Sequence, residues 1–454
     1  MKRLLSIILV LAFCASMLCI PASAITDGDW EFNLKNGEAH ITKYVGSGGE
    51  VVVPTTLKGA TVTRLCFGAF TDNKNATSIH VPSTVKVIEN MAFQGCVAES
   101  IYIEDGVTEI ANMAFRLNDS LKTIRIPGTV TTMGFELVSG CKSLENAVLE
   151  EGISFIPREM FTGCTALKQI KIPSTVTRIE YYAFGDTGLE SVTIPANVVE
   201  IGEFVFERCS SLTNVNFAGT KLELIDTAAF HSCTALENIC IPVSVKELGS
   251  HLFWNCTSLK GVVVPYGCTK IGNNLFWDVG ESVEWVSIPS TVTSFLTGLI
   301  GEAPNLIVYC PAGSEAEKCC QKTTWDQSYI TDASADSGIQ VLYNGIRISF
   351  GPYGQNPEVI NSRTMVPLRS IFEAMGAEIQ WDNATKTVTA TRGDVTISLA
   401  VGSNTMYVNG EARTLDTPAC IINGRTMVPT RAIAEAFQAG VQWIGTGRTV
   451  LITE

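Results

Sequence analysis

Hydrophobic positions along most of this chain recur with a compound beat. A clean copy runs from Leu167 to Phe184: Leu167, Ile170, Ile172, Pro173, Val176, Ile179, Ala183 and Phe184, with mostly polar residues between. The Ile-x-Ile-Pro part alternates with period two and is β-branched, which predicts a short strand. Proline ends that strand because it has no N–H to give to a ladder. The Val, Ile, Ala and Phe positions then point back toward a shared core from turns and short helical pieces. Phenylalanines at 70, 93, 115, 161, 184, 206, 230, 253 and 276 keep the beat in steps of 22 to 24, and Val138 fills the one gap. Prolines follow it at 82, 127, 173, 195, 242, 265, 289 and 311. A unit of about 23 residues cannot bury both of its faces alone, but stacked units shelter one another. The pattern therefore predicts a parallel sheet on a continuous core. About eleven coils at ~4.8 Å per strand make an arc roughly 50 Å long.

The stretch Gly163 to Phe184 resembles the leucine-rich repeats of the BspA-like bacterial surface family, and the resemblance covers about residues 51–311. It implies a mainly β leucine-rich repeat solenoid of parallel strands with short helical or turn segments. Residues 25–50 resemble that family's N-terminal β cap. Pro311 to Lys318 resembles its closing segment, with Ser314 as N-cap of a capping helix over 312–322. Adhesion to host proteins or other cells is the function the resemblance implies.

Six cysteines, at 96, 141, 164, 209, 233 and 256, stand three residues after the Phe position. Stacked in register, their Cβ atoms would sit near the ~4.8 Å strand spacing rather than the ~3.8 Å a disulfide prefers. No C-x-x-C pair occurs, so zinc lacks its usual ligand spacing. These are expected to be buried free thiols acting as small hydrophobes with a weak donor. Cys310, Cys319 and Cys320 lie off the ladder, and one bridge among them stays open.

After a Thr-, Ser- and Asp-rich stretch read as a linker (323–338), a different motif occurs twice. Asn361-Ser-Arg-Thr-Met-Val-Pro-Leu-Arg is echoed by Asn423-Gly-Arg-Thr-Met-Val-Pro-Thr-Arg, 62 residues on. Each copy reads as a strand, a helix starting near Pro367 or Pro429, and a strand holding Trp381 or Trp443. Residues 339–454 resemble the copper amine oxidase N-terminal-like (stalk) domain, which implies a small α+β module. The resemblance is to the stalk and not to the catalytic domain, whose copper needs three histidines. The chain's four, His40, His80, His231 and His251, all lie elsewhere. Trp381 and Trp443 are expected in the core rather than as sugar platforms, and Arg363 and Arg425 are expected to hold turns. Attachment to wall or surface polymers is the expectation for such a module.

Lys2 and Arg3, the apolar run Leu4–Ile20 and Ala22-x-Ala24 form a secretory leader, residues 1–24. Phe13 and Leu18 stand where a lipoprotein signal would have small residues, so release is favoured over lipidation. No later run is long and apolar enough to span a membrane. The whole chain carries 32 Lys+Arg against 45 Asp+Glu, a net charge of -13. That balance argues against nucleic acid or anionic lipid as the main partner.

No G-x-S-x-G elbow, H-E-x-x-H helix or phosphate loop occurs, and His231-Ser232-Cys233 is a ladder turn rather than a nucleophile pair. No catalytic residue, cofactor or metal is expected. The remaining candidate is the outward side of the strands. There the middle residue of Ile-x-Ile, with the residue two before it, forms columns that read either as a solvated face or as a ligand surface. His80, Tyr102, Arg125, Lys171, Asn216, Trp285 and Tyr309 are the candidate contacts. The expected function is a secreted or cell-surface, non-catalytic binding protein for an extracellular protein or glycan. The alternatives are an envelope scaffold whose stalk domain binds wall polymer and a secreted polysaccharide-acting enzyme.

Overall fold

The computed structural model describes residues 24–219, 221–295, 305–321, 328–336, 338–348, 350, 355–445 and 448–454. Apart from Ala24, the expected leader lies outside them. Three antiparallel strands, Ile25–Asp27, Trp30–Lys35 and Glu38–Tyr44, open the fold, and the third pairs in parallel with Ala60–Leu65. From there each coil stacks on the last.

The Ile-x-Ile segments line one wall as parallel strands in three hydrogen-bonded sheets, and the expected strands at Ile170–Ile172 and Ile239–Ile241 lie between them without ladder bonds of their own. Gly49–Val52, Ala76–Val81, Ser100–Ile103, Thr123–Ile126 and Asn146–Leu149 are neighbours in that order. The same wall continues through Ser191–Ile194 and Asn214–Phe217, then Gly261–Val263, Trp285–Ser287 and Ile307–Cys310. Two-residue parallel strands, such as Arg178–Ile179 and Glu200–Ile201, form a second wall of two sheets at the x-Ile step that follows the Val position. The return leg is therefore strand and turn.

The phenylalanines close the core. All nine are at most 1 % exposed. Consecutive rings stack with centroids 4.9–5.9 Å apart and planes within 2–18°. Val138, itself buried, interrupts the stack. The Phe turn is held open by left-handed residues on both sides, for example Tyr182 and Asp186 around Phe184. Non-glycine residues adopt this backbone at a cost of roughly 1–2 kcal/mol. It is offset because alternate N–H groups then point along the solenoid axis: Tyr182, Phe184 and Asp186 donate to Glu203, Val205 and Glu207 of the next coil.

The ladder cysteines turn inward just past this turn. Cys141, Cys164, Cys209, Cys233 and Cys256 are buried thiols, and each donates to the carbonyl of the Phe-position residue one coil back at 3.0–3.2 Å. Asn118 and Thr187 replace cysteine in two coils and stay buried. The Asn118 Oδ1 accepts from the Cys96 N–H, while the Thr187 hydroxyl donates to the Phe184 carbonyl. Burial pushes the Cys141, Cys209 and Cys256 thiols up to about 12.

A helix, Glu315–Gln321, closes the far end. The Ser314 hydroxyl accepts from the Glu317 N–H, and the Glu317 carboxylate accepts from the Gly313 N–H, a capping box shifted by one residue. Cys310 and Cys320 are buried thiols here. The stretch read as a linker is structured where it is described. Ser328–Thr331 adds a parallel strand to Ile307–Cys310, and a 3-10 turn follows at Ala333–Asp336.

The C-terminal module builds its two copies around a pseudo-dyad. Arg363–Pro367 and Arg425–Pro429 pair antiparallel with Val366 opposite Val428. Each proline ends its strand and stands just before a seven-residue helix, Leu368–Ala374 or Thr430–Ala436, rather than inside its first turn. Phe372 and Phe437 meet edge to face at 5.8 Å in the core between them. Trp381 and Trp443, expected in the core, are instead 44 % and 41 % exposed. On each strand the residue two before, Ile379 or Val441, packs against the core. The tryptophan shares that side of the strand but runs past the core's edge.

Candidate functional site

The outward columns of the first wall lie where the template puts them, but they divide into two stretches. From the coil of His80 to that of Asn216 the face is open. Tyr102 is 48 % exposed and Lys171 and Asn216 are exposed, while His80 and Arg125 are half-buried on either side of Tyr102. Farther along, Cys240 and Tyr309 are half-buried, Trp285 is 3 % exposed and Ser287 is fully buried.

His80, Tyr102 and Arg125 form one contiguous cluster on three neighbouring strands. The Tyr102 ring meets the edge of His80 at 5.2 Å on one side and the Arg125 guanidinium at 5.3 Å on the other. The Arg125 Nε donates to Glu150 at 2.9 Å, its Nη2 to Asp105 at 2.6 Å, and its Nη1 to the Ile103 carbonyl at 2.5 Å. His80 pairs with Glu104 at 2.8 Å. The Ser83 N–H, helped by that imidazole, holds the Glu104 carboxyl below its ordinary range. The result is an aromatic platform with pinned neighbours, rimmed by carboxylates and two basic groups. Pinning keeps low the side-chain entropy that a bound partner would otherwise have to remove. Lys171 lies two coils farther along, past the half-exposed Val148, and Asn216 two coils beyond that; the structure does not gather these two into the cluster.

Glu104, Asp105 and Glu150, which fix the cluster, escaped the sequence reading. Their only signal was a carboxylate 20 to 25 residues from each basic group, close to one coil's length, and in an acidic chain that spacing is unremarked.

Trp285 and Tyr309 are covered. Arg347 of the C-terminal module lies over the Tyr309 ring at 4.9 Å. Its Nη1 donates to Asp332 at 2.7 Å and its Nε to Gln340 at 2.9 Å, with the side chains of Arg347 and Asp332 both 0 % exposed. Two coils back from Trp285, Cys240 is hydrogen-bonded to Thr449 of the module. Beside it, the Asn238 amide oxygen sits 2.9 Å from where a Cβ on Gly345 would lie, and Gly345 holds a left-handed φ of 80° that suits glycine. The Trp285 indole packs over Gly261 between these anchors.

Among the described residues, no group of three or more His, Cys, Asp or Glu side chains is arranged to hold a metal ion. His231 faces Glu207 at 3.3 Å while Cys233 points inward to the Phe206 carbonyl, so the two do not meet as nucleophile and base.

The stacked coils, the paired parallel sheets and the appended α+β module define a leucine-rich repeat solenoid with a second domain docked on its strand face. Residues 63–188 and 177–303 match the family described as BspA type leucine rich repeat region, which spans more than half of the chain; the chain belongs to that family. Residues 343–452 match the copper amine oxidase N-terminal domain. Among solved structures the chain is similar to a leucine rich cell surface protein from Faecalibacterium prausnitzii, at 25 % identity over 66 % of this chain and 97 % of that one, with a TM-score of 0.44. It is also similar to the pneumococcal vaccine antigen PcpA, at 17 % identity over 68 % and 98 %, with a TM-score of 0.41. A primary amine oxidase from Klebsiella aerogenes is 30 % identical over 77 residues, 17 % of this chain and only 10 % of that protein.

Proposed function

We propose that this chain is a secreted or cell-surface, non-catalytic binding protein whose open strand face holds an extracellular protein or glycan. One observation carries the reading: Tyr102 is a half-exposed ring fixed between His80 and Arg125 on a rigid sheet. Exposed aromatics with locked neighbours are the groups that anchor interfaces. Membership of the BspA type repeat family and the leader-like first 24 residues support a place outside the cytoplasm. The open columns span seven coils, from His80 to Asn216, or about 29 Å at ~4.8 Å per strand. That length suits a folded protein surface or a short oligosaccharide.

The test is a binding screen on arrayed extracellular matrix proteins and surface glycans. It compares the wild-type chain with a Tyr102→Ala, Arg125→Ala, Lys171→Ala variant that still unfolds cooperatively in urea. The variant is expected to lose the partners that the wild type retains. Equal retention by both removes this face as the site.

A further inference from the structure

The C-terminal module contains a groove of about 460 Å³ at the seam of its two copies. One copy supplies Arg363 and Thr364; the other supplies Thr430, Arg431, Val441 and Trp443. We infer that this groove is a binding site for an acidic polysaccharide, independent of the solenoid face.

Trp443 and Arg431 point to that ligand, and Arg363 and Thr430 hold the groove in shape. Trp443 lies in the groove and is 41 % exposed, which is the placement a sugar ring needs to stack on an indole. Arg363 is oriented by Asp416, its Nε and Nη2 donating to one carboxylate oxygen at 2.9 and 2.6 Å. Arg431 meets Glu435 only loosely, at 3.9 Å with both side chains mostly exposed, so its fork is available to a carboxylate. The hydroxyl of Thr430 is committed to the Thr364 carbonyl at 3.0 Å, which ties the two copies together across the floor.

Charge points the same way. Residues 339–454 hold nine basic and nine acidic side chains, so the acidic excess of the chain lies wholly before residue 339. An anionic polymer repelled elsewhere meets a neutral module whose groove offers Arg431, held only loosely by Glu435, beside an Arg363 already paired with Asp416.

The pseudo-dyad at Val366 and Val428 supplies the complementary set: Arg425 from the second copy, with Arg369 and the 44 % exposed Trp381 from the first. Two related sets on one rigid body favour a repeating ligand, because the second contact then forms at high effective concentration.

The full chain tests this by affinity electrophoresis in gels containing polygalacturonate, hydroxyethylcellulose or poly-L-glutamate. The expected result is retardation by polygalacturonate alone. Trp443→Ala weakens it about tenfold, roughly the loss of one good contact. Trp443→Phe keeps most of it, and the Trp381→Ala, Trp443→Ala double variant loses it. A Tyr102→Ala variant is retarded like the wild type, which separates this site from the solenoid face. Equal retardation by poly-L-glutamate assigns the groove to acidic peptide and overturns the inference. Equal retardation by hydroxyethylcellulose removes the acidic element, while no retardation, or full retardation of Trp443→Ala, removes the site.

Discussion

The two stretches of the strand face are written with the same template and end up in opposite environments. Ser191 and Thr193 are exposed; Trp285 and Ser287, at the same two positions four coils on, are buried. Both pairs stand on parallel strands of the Ile-x-Ile wall. What differs is the C-terminal module, which touches the later coils at Asn238, Cys240 and Tyr309. A repeat therefore specifies which side chains point outward, while the neighbouring domain decides which of them meet solvent. The usable binding surface is the part the module leaves clear.

Breaking the module's main anchor gives the largest effect. Arg347 is fully buried with Asp332, Gln340 and Tyr309 around it. Removing one partner of a buried ion pair strands the other charge and costs about 3–5 kcal/mol. Arg347→Ala is expected to lower stability by that amount in urea unfolding. An Arg347→Met, Asp332→Leu pair, which removes both charges, recovers most of it. A loss under about 0.5 kcal/mol for Arg347→Ala, the range of an ordinary surface change, means the module is not held this way.

Trp285 tests the covered stretch from the solenoid side. Truncating a buried tryptophan costs roughly 3–5 kcal/mol, and its indole nitrogen has no hydrogen-bond partner to lose, which favours the lower end. Trp285→Ala is therefore expected to destabilise the chain by about 3 kcal/mol in the same measurement. A variant as stable as the wild type places that indole in solvent.

Cys240 is a built-in reporter of the cover. Burial pushes its thiol up to about 11, against 9.0 for an ordinary one. The raised value means the proton stays on, so at pH 8 the thiolate is about 100-fold scarcer than for an exposed thiol. Maleimide labelling followed by peptide mapping should find Cys240 slow in the wild type. In the Arg347→Ala variant it should speed up by up to that factor, while Cys233, inside the ladder, stays slow in both. Equal Cys240 rates in the two proteins break the link between the anchor and the covered face.

Much of this architecture is legible in the residues because its causes are local and repeated. Phe184 is buried for the same reason as Phe161 and Phe206, so the period alone reveals the ladder. The cysteines follow from the same frame. The second wall is harder to see, since strands of two residues such as Glu200–Ile201 carry no alternation to detect. Docking of the module leaves almost no trace in sequence. Its contacts are made by Asn238, Cys240, Gly345 and Thr449, residues of ordinary polarity that the chain brings together across 107 and 209 positions. Trp381 and Trp443 mislead because period two puts them on the core side of their strands, and nothing in the pattern marks where the core ends. Arg125 was visible as a candidate, but the carboxylates that pin it were not.

The smallest effect sharpens the comparison most. Tyr102 occupies the open stretch, where its ring contacts His80 and Arg125 but little of the core. Replacing it with alanine removes one ring-edge contact and one cation–π contact at a half-exposed site, the latter worth ~0.5–1 kcal/mol. Arg125 keeps both of its carboxylates. Tyr102→Ala is accordingly expected to cost no more than about 1 kcal/mol in urea unfolding, well below the loss at Trp285. The two residues project from the same face of the same kind of strand, so the gap between their costs measures what the module adds. If Tyr102→Ala proved as damaging as Trp285→Ala, the ring would belong to the packing of the solenoid, and a partner would have to bind elsewhere.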